Sequence, residues 1–269
     1  FFTMHSHISH TYSIGNLQFL EELQQGAPSG RVFVAKHIPT DSLVAVKQIP
    51  FQSLMDSDRY TTERNTAMAI SHTNIVKTLG STYHKGHGYL VMELLHQDLL
   101  EEFDSFQSED EIRILFQQIC KAVAFLHDHK IAHLDIKPEN VLLDEAGKAK
   151  LCDFGSSHSF YESIQCEIGT LLYRAPEILF TSSFDKASAD IWSLGVVLYL
   201  LLTGEYPYSG STDEELHDSV KSGVFCTKAL TKANVSDEAK ALTLHMLQLD
   251  PNNRPSIFQV LRHPFCFFI

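Results

Sequence analysis

Four short strings in this chain hold residue types able to do chemistry. Val44-Ala45-Val46-Lys47 alternates with period two, which puts Ala45 and Lys47 on one side of a strand and Val44 and Val46 on the other. A lysine beside a small residue on an inward-facing strand surface needs an anion to meet. His133-Leu134-Asp135-Ile136-Lys137-Pro138-Glu139-Asn140 packs two carboxylates, a lysine and an amide into one short stretch. Asp153-Phe154-Gly155 and then Ala175-Pro176-Glu177 follow. Any one of these strings is a weak signal. In this order and at these separations the set is specific.

The elements that must position them are legible from pattern. Strand-like runs lie at Arg31–Lys36, Leu43–Ile49 and Tyr89–Leu94, with Pro39-Thr40-Asp41-Ser42 supplying the turn between the first two. A helix is expected over Asp58–Ile70. Ser108 and Glu111 have capping-box spacing, and Ile112, Leu115, Phe116, Ile119, Val123 and Leu126 follow at three- and four-residue steps, one buried helical stripe. A second apolar helix is expected over Ala187–Thr203, stopped by Gly204, with further helices at Asp213–Ser222, Asp237–Leu249 and Ile257–Arg262. The pattern predicts a sheet region over 14–94, a larger helical region over 95–269, and a tail over 1–13. His5, His7 and His10 of that tail have no carboxylate or cysteine to complete a metal shell and read as solvated.

Composition bounds the function. The 269 residues are 44% hydrophobic and 20% charged, ordinary for a folded protein. Twenty-one Lys+Arg against 33 Asp+Glu leave a net charge of −12, which argues against sequence-independent binding to nucleic acid or an anionic membrane and favours cationic partners. The longest strongly apolar stretch, Leu194–Leu202, is far shorter than the roughly 20 residues of a membrane span. Cys120, Cys152, Cys166, Cys226 and Cys266 are scattered without metal spacing, as expected of reduced thiols in the cytoplasm or nucleus. No secretory leader is visible, and a first residue of Phe rather than Met leaves open a natural start upstream.

Taken together, the strings resemble those of the eukaryotic protein kinases. Asp190-Ile191-Trp192-Ser193-Leu194-Gly195, Asp250-Pro251-Asn252-Asn253-Arg254-Pro255 and Leu261-Arg262-His263-Pro264-Phe265 extend the match to about residues 17–266. The resemblance implies an α+β, bilobal fold: a small antiparallel sheet lobe with one main helix, and a larger, mainly helical lobe. It implies ATP and Mg²⁺ as cofactors, and protein substrates bearing Ser or Thr. By the same resemblance Lys47 holds the α- and β-phosphates and Glu63 keeps it aimed. Asn140 and Asp153 ligate Mg²⁺, Asp135 orients the attacking hydroxyl, and Lys137 steadies the γ-phosphate. Val32, Ala45 and Leu142 line the adenine slot, with Met92 as gatekeeper. Glu93 and Leu95 meet the adenine edge through their backbone, and Asp98 meets the ribose. Thr170 bridges Asp135 and Lys137, and Glu177 pairs with Arg254 as a structural brace. Gly169-Thr170 and Asp135-x-Lys137 look like the serine/threonine type. The wording of Asp190–Tyr199 is similar to the calcium/calmodulin-dependent and energy-sensing groups.

The chain departs from the pattern in three places. The glycine-rich loop has Gln25, Ala27 and Gly30 at the three glycine positions or, with Pro28 as an insertion, Gln24, Gly26 and Gly30; one glycine or more is missing either way. Glycines let the backbone approach phosphate closely, so a scaffold that binds nucleotide weakly is the alternative reading. Leu134 stands where the family has an arginine that awaits an activation-segment phosphate, and Cys166 stands where the phosphorylated Thr is expected. Activity without such phosphorylation follows, with Glu167 as a fixed negative charge. Arg174, before Ala175-Pro176-Glu177, is placed to alter the preference for the residue after the target, while Asp98 and Glu139 favour a basic residue before it.

Overall fold

The computed structural model describes residues 12–27, 30–51, 53–95, 97–103, 106, 108–164, 168–179, 183–225 and 227–267. The tail histidines, Pro28, Cys166, Glu167 and Cys226 lie outside the described residues, as do the side chains of 24–27, 54, 55 and 179. The chain divides into two compact units: one runs to residue 96 and adds Asp153–Gly155, and the other holds Gln97–Cys152 and the chain from Ser156 onward. The sequence pattern had left Asp153–Gly155 with the helical region; here they pack in the first unit.

That unit is built on strands β1 (Ser13–Ile14), β2 (Leu17–Ala27), β3 (Gly30–His37) and β4 (Ser42–Pro50), helix α1 (Leu54–Ala69), and strands β5 (Thr78–His84) and β6 (His87–Glu93). The strands form one antiparallel sheet in the order β1-β2-β3-β4-β6-β5. Three of them, the two-residue β1 together with β2 and β5, are absent from the apolar runs. In β2 the alternation is interrupted by register shifts after Phe19, Glu22 and Gln24. β5 is an edge strand whose residues alternate between exposed and half-buried, so it carries little apolar signal. Val44 and Val46 join Phe19, Phe33, Ala35 and Tyr89 in a cluster on one face. Phe19 meets Phe33 and Tyr89 edge-on. Ala45 and Lys47 are left on the other face, as the period of two requires.

Helix α1 starts one turn before the expected Asp58 because Ser53 caps it. The Asp56 N–H donates to the Ser53 hydroxyl, and the Ser53 N–H donates to the Asp56 carboxylate. Its seat on the sheet is Tyr60, which packs with Ile49, Leu90 and Phe51 and donates its hydroxyl to the Thr82 carbonyl at 3.2 Å. Gly88 of β6 makes that seat: a Cβ there would lie 2.5 Å from the Tyr60 ring.

The second unit comprises β7 (Gln97–Asp98), α2 (Glu109–Asp128), β8 (Ile131–Ala132), β9 (Val141–Leu143), β10 (Ala149–Leu151), β11 (His158–Ser159), α3 (Lys186–Thr203), α4 (Asp213–Ser222), α5 (Thr227–Lys232), α6 (Asp237–Met246) and α7 (Ile257–Arg262). The short strands pair as β10-β9-β7 and β11-β8. All six residues of the predicted α2 stripe are buried. α3 is long and apolar enough by composition to cross a membrane, yet most of it is buried in this unit, where it serves as the core helix. Asp185 caps its start, and Gly204, left-handed at φ 74°, ends it. α5, at six residues, is too short to show a period. α6 ends at Met246, before the expected Leu249, and the carbonyls of Gln248 and Leu249 beyond it accept from the Arg254 guanidinium. That guanidinium also makes a bidentate pair with Glu177 at 2.6 and 2.7 Å and lies over the Trp192 ring.

Gly88→Ala tests what seats α1. The added methyl must displace the Tyr60 ring, so a loss of about 1–3 kcal/mol is expected in urea unfolding; an unchanged midpoint would mean that Tyr60 is not held there.

Candidate active site

In the first unit Val32, Ala45, Lys47 and Met92 share one face of the sheet, while Glu93 lies on the opposite one with Val44. Directly paired residues of an antiparallel ladder share a face. Val32 pairs with Lys47, and Ala45 pairs with Met92. Glu93 lies opposite Val44, and its N–H donates to the Lys77 carbonyl at 3.0 Å. Leu95 follows, half-buried. At the hairpin between β2 and β3 the register joins Ala27 to Gly30 (φ 119°), with Gly26 one residue earlier in β2.

Lys47 is the electrostatic centre of this unit. Its Nζ donates to Glu63 Oε1 at 2.7 Å and to Asp153 Oδ1 at 2.8 Å, and its side chain is 5% exposed. Burial alone would lower the ammonium's pKa, but Asp153 and Glu63 outweigh it and hold the group above its usual range. Burial pushes the Glu63 carboxyl up, and Lys47 pulls it back only in part. Asp153 is left-handed (φ 60°), a conformation that costs a non-glycine residue energy. Its Oδ1 also accepts the Gly155 N–H at 3.1 Å.

The second unit assembles the other group of candidates between β8 and β9 and at Gly169-Thr170. Asp135 Oδ1 accepts both the N–H and the hydroxyl of Thr170 at 2.8 Å, and Lys137 Nζ donates to the Thr170 hydroxyl at 2.7 Å. Lys137 Nζ also lies 3.1 Å from Asp135 Oδ2. Asn140 is buried and donates its side-chain N–H groups to the Asp135 carbonyl at 2.7 Å and to Oδ2 at 3.0 Å, which turns its amide oxygen the other way. Burial would raise the Asp135 carboxyl, but Lys137 and the Thr170 hydroxyl outweigh it and hold it below the usual carboxylate range. Gly169, at φ 78°, is required here: a Cβ would strike the Leu134 carbonyl at 2.4 Å. Arg174 Nη2 donates to the Gly169 carbonyl at 2.8 Å. Asp98 and Leu142 are ladder partners of β7 and β9, and Glu139 is exposed.

Sequence reasoning gave no separate role to Asp190. Its fully buried carboxylate accepts the N–H groups of His133 and Leu134 at 2.9 and 2.8 Å and faces His127 Nε2 at 2.8 Å. Leu134 is held left-handed (φ 63°) with its side chain buried. An acid in the otherwise apolar α3 was the available signal. Arg59 was missed as well, although it lies four residues before Glu63 on α1 and donates to the Gly155 carbonyl at 3.2 Å.

Residues 17–266 match the protein kinase domain. The chain belongs to the eukaryotic protein kinase family. Among similar proteins, sperm motility kinase 2B of Mus musculus is 32% identical over 91% of this chain and 51% of its own length. The carbon catabolite-derepressing protein kinase of Candida tropicalis is 33% identical over 92% and 40%, and that of Saccharomyces cerevisiae 32% over 93% and 40%. The chain thus spans about half or less of the length of these relatives. The kinase family uses ATP and a divalent metal ion to phosphorylate proteins. The carboxylate at 153 and the amide oxygen at 140 are each hard oxygen donors, the type such a cation takes.

Lys47→Met leaves Glu63 and Asp153 without their buried cation. A loss of about 3 kcal/mol is expected near neutral pH. Without Lys47 the Glu63 carboxyl rises further. A raised carboxyl stabilises the native state below its unfolded value, and that contribution is lost as pH rises through the folded one. The deficit against wild type, measured by urea unfolding without metal, is therefore smaller at about pH 5 than at about pH 8; the reverse order would contradict the geometry.

Proposed function

We propose that this kinase transfers the γ-phosphate of Mg-ATP to Ser and Thr hydroxyls of proteins, and that it needs no phosphate on its activation segment to do so. The observation that carries the reading is the Lys47 ammonium bonded at once to Glu63 and Asp153. Phosphoryl transfer asks for positioning and charge cancellation more than for covalent chemistry. Lys47, kept charged by its two carboxylates, holds the α- and β-phosphates. Val32, Ala45, Met92 and Leu142 enclose adenine, and Asp98 meets the ribose. Glu93 has its N–H committed to Lys77, so it meets the adenine edge through its carbonyl, beside the backbone of Leu95. Gly26 and Gly30 belong to the hairpin that covers the phosphates.

Asn140 and Asp153 hold Mg²⁺, which neutralises phosphate charge when bound. Asp135, with its pKa held low, is a weak base. It orients the substrate hydroxyl and takes its proton late, while Lys137 steadies the γ-phosphate. Thr170 locks these two together, which favours Ser/Thr as acceptor. Arg174, pinned to the Gly169 carbonyl, shapes the preference after the target residue. Asp98 and Glu139 favour a basic residue before it.

Independence from phosphorylation is supported by Leu134: an apolar, buried side chain offers a phosphate no counter-charge. Ser157 is 2% exposed and poorly accessible to a modifying enzyme. Replacing Ser157, Ser159 and Ser163 by Ala and Tyr161 by Phe is expected to keep activity within about threefold, a change worth under 1 kcal/mol; abolished activity would refute independence.

The central test gives the purified chain labelled ATP and Mg²⁺ with paired basic and neutral peptides, beside Asp153→Ala. Transfer that prefers the basic peptide and falls by about a hundredfold or more in the variant is expected. The Ala27–Gly30 hairpin, short of a glycine, supports the scaffold alternative. Nucleotide-induced thermal stabilisation without any transfer would select that alternative.

A further inference from the structure

We propose that Arg59 is a positioning residue: it ties α1 to Asp153-Phe154-Gly155 and supplies the second cation of the Lys47 cluster. This deepens the kinase reading above and rests on it.

The case begins with charge. Lys47 carries one positive charge against the two negative charges of Glu63 and Asp153. Glu63 is only 4% exposed on its side chain and Asp153 23%, so the excess is only partly solvated, and at Glu63 hardly at all. Arg59, one helical turn before Glu63, lies on the same face of α1. Its Nε donates to the Gly155 carbonyl at 3.2 Å. A Cβ built on Gly155 would sit 3.1 Å from Asp153 Oδ1, 3.1 Å from Glu63 Oε2 and 3.4 Å from Arg59 Nη2. The guanidinium and both carboxylates therefore converge on one glycine that lacks the side chain to keep them apart. Arg59 is also among the groups that pull the Glu63 carboxyl back down against burial.

Geometry adds a second argument. Asp153 holds a left-handed backbone, and its Oδ1 takes the Gly155 N–H as well as Lys47. Those bonds fix the entry to the turn. The bond from Arg59 to the Gly155 carbonyl fixes its exit. A relaxed turn would let the Asp153 carboxylate swing away from Lys47. Leu134 brings no cation to such a task. A main-chain carbonyl is a permanent acceptor, so the Arg59 bond closes the cluster without any covalent modification. The planar guanidinium can hold the carbonyl and face the carboxylates at the same time, which an ammonium does less well.

The test compares the purified chain with Arg59→Ala and Arg59→Lys, and with Arg59→Gln should the alanine variant not fold. Initial rates are measured against ATP with a basic peptide, and amide hydrogen exchange is followed over 152–156. In Arg59→Ala, kcat is expected to fall by about tenfold or more while KM for ATP stays within about threefold, and Arg59→Lys recovers part of the loss. Exchange at Phe154 and Gly155 rises by about fivefold or more, with α2 unchanged. A kcat within about twofold of wild type in Arg59→Ala, or a lysine variant no better than alanine, overturns the inference. Should wild type show no Asp153-dependent transfer, the kinase reading falls and exchange alone decides: unchanged rates at Phe154 and Gly155 in Arg59→Ala then overturn the role of Arg59.

Discussion

A buried ammonium is the constraint from which the first unit is built. Lys47 comes from the middle of a sheet and is nearly sealed from water. Removing such a charge from solvent costs several kcal/mol unless opposite charges replace the water. The replacement comes from far away in sequence, Glu63 on α1 and Asp153 over a hundred residues later. The need to pair one charge accounts for the association of Asp153–Gly155 with this unit, although both flanking stretches of chain belong to the other. It also sets the demands on α1: the helix must start at Ser53 and rest on Tyr60 for Glu63 to face the sheet.

The second unit solves the mirror problem with a buried anion. Asp190 has no solvent exposure, and two main-chain N–H groups and an imidazole surround it. Those two N–H groups belong to the loop that carries Asp135. The acid therefore spends its hydrogen bonds on the geometry of that loop, holding Leu134 in a backbone conformation a leucine rarely adopts. Asp135, Lys137, Thr170 and Asn140 then share their bonds so fully that none is set independently of the others.

Much of this was legible in the chain, and the exceptions have physical causes. The α2 stripe, α4, α7 and the Gly204 stop were plain because each depends on local periodicity or a cap. β2 and β5 were not, since bulges break the alternation of one and an edge position leaves the other polar. The α6 end was misplaced because the chain beyond Met246 turns toward a tertiary partner, Arg254, which takes the carbonyls of Gln248 and Leu249. Among site residues, Lys47, Glu63, Asp135, Asn140 and Asp153 were marked by motif order. Asp190 and Arg59 act by bonding to main-chain atoms of other segments. Such bonds leave no trace in side-chain spacing, so only coordinates reveal what these two hold.

The contact between Gly88 and Tyr60 reaches beyond stability. A ring on a helix occupies the space that a side chain on the strand would need. A larger residue 88 crowds the ring at 60, and a smaller residue 60 would offset that cost. Where residue 60 stays large, the strain tilts the helix instead, and a tilt carries the carboxylate at 63 with it.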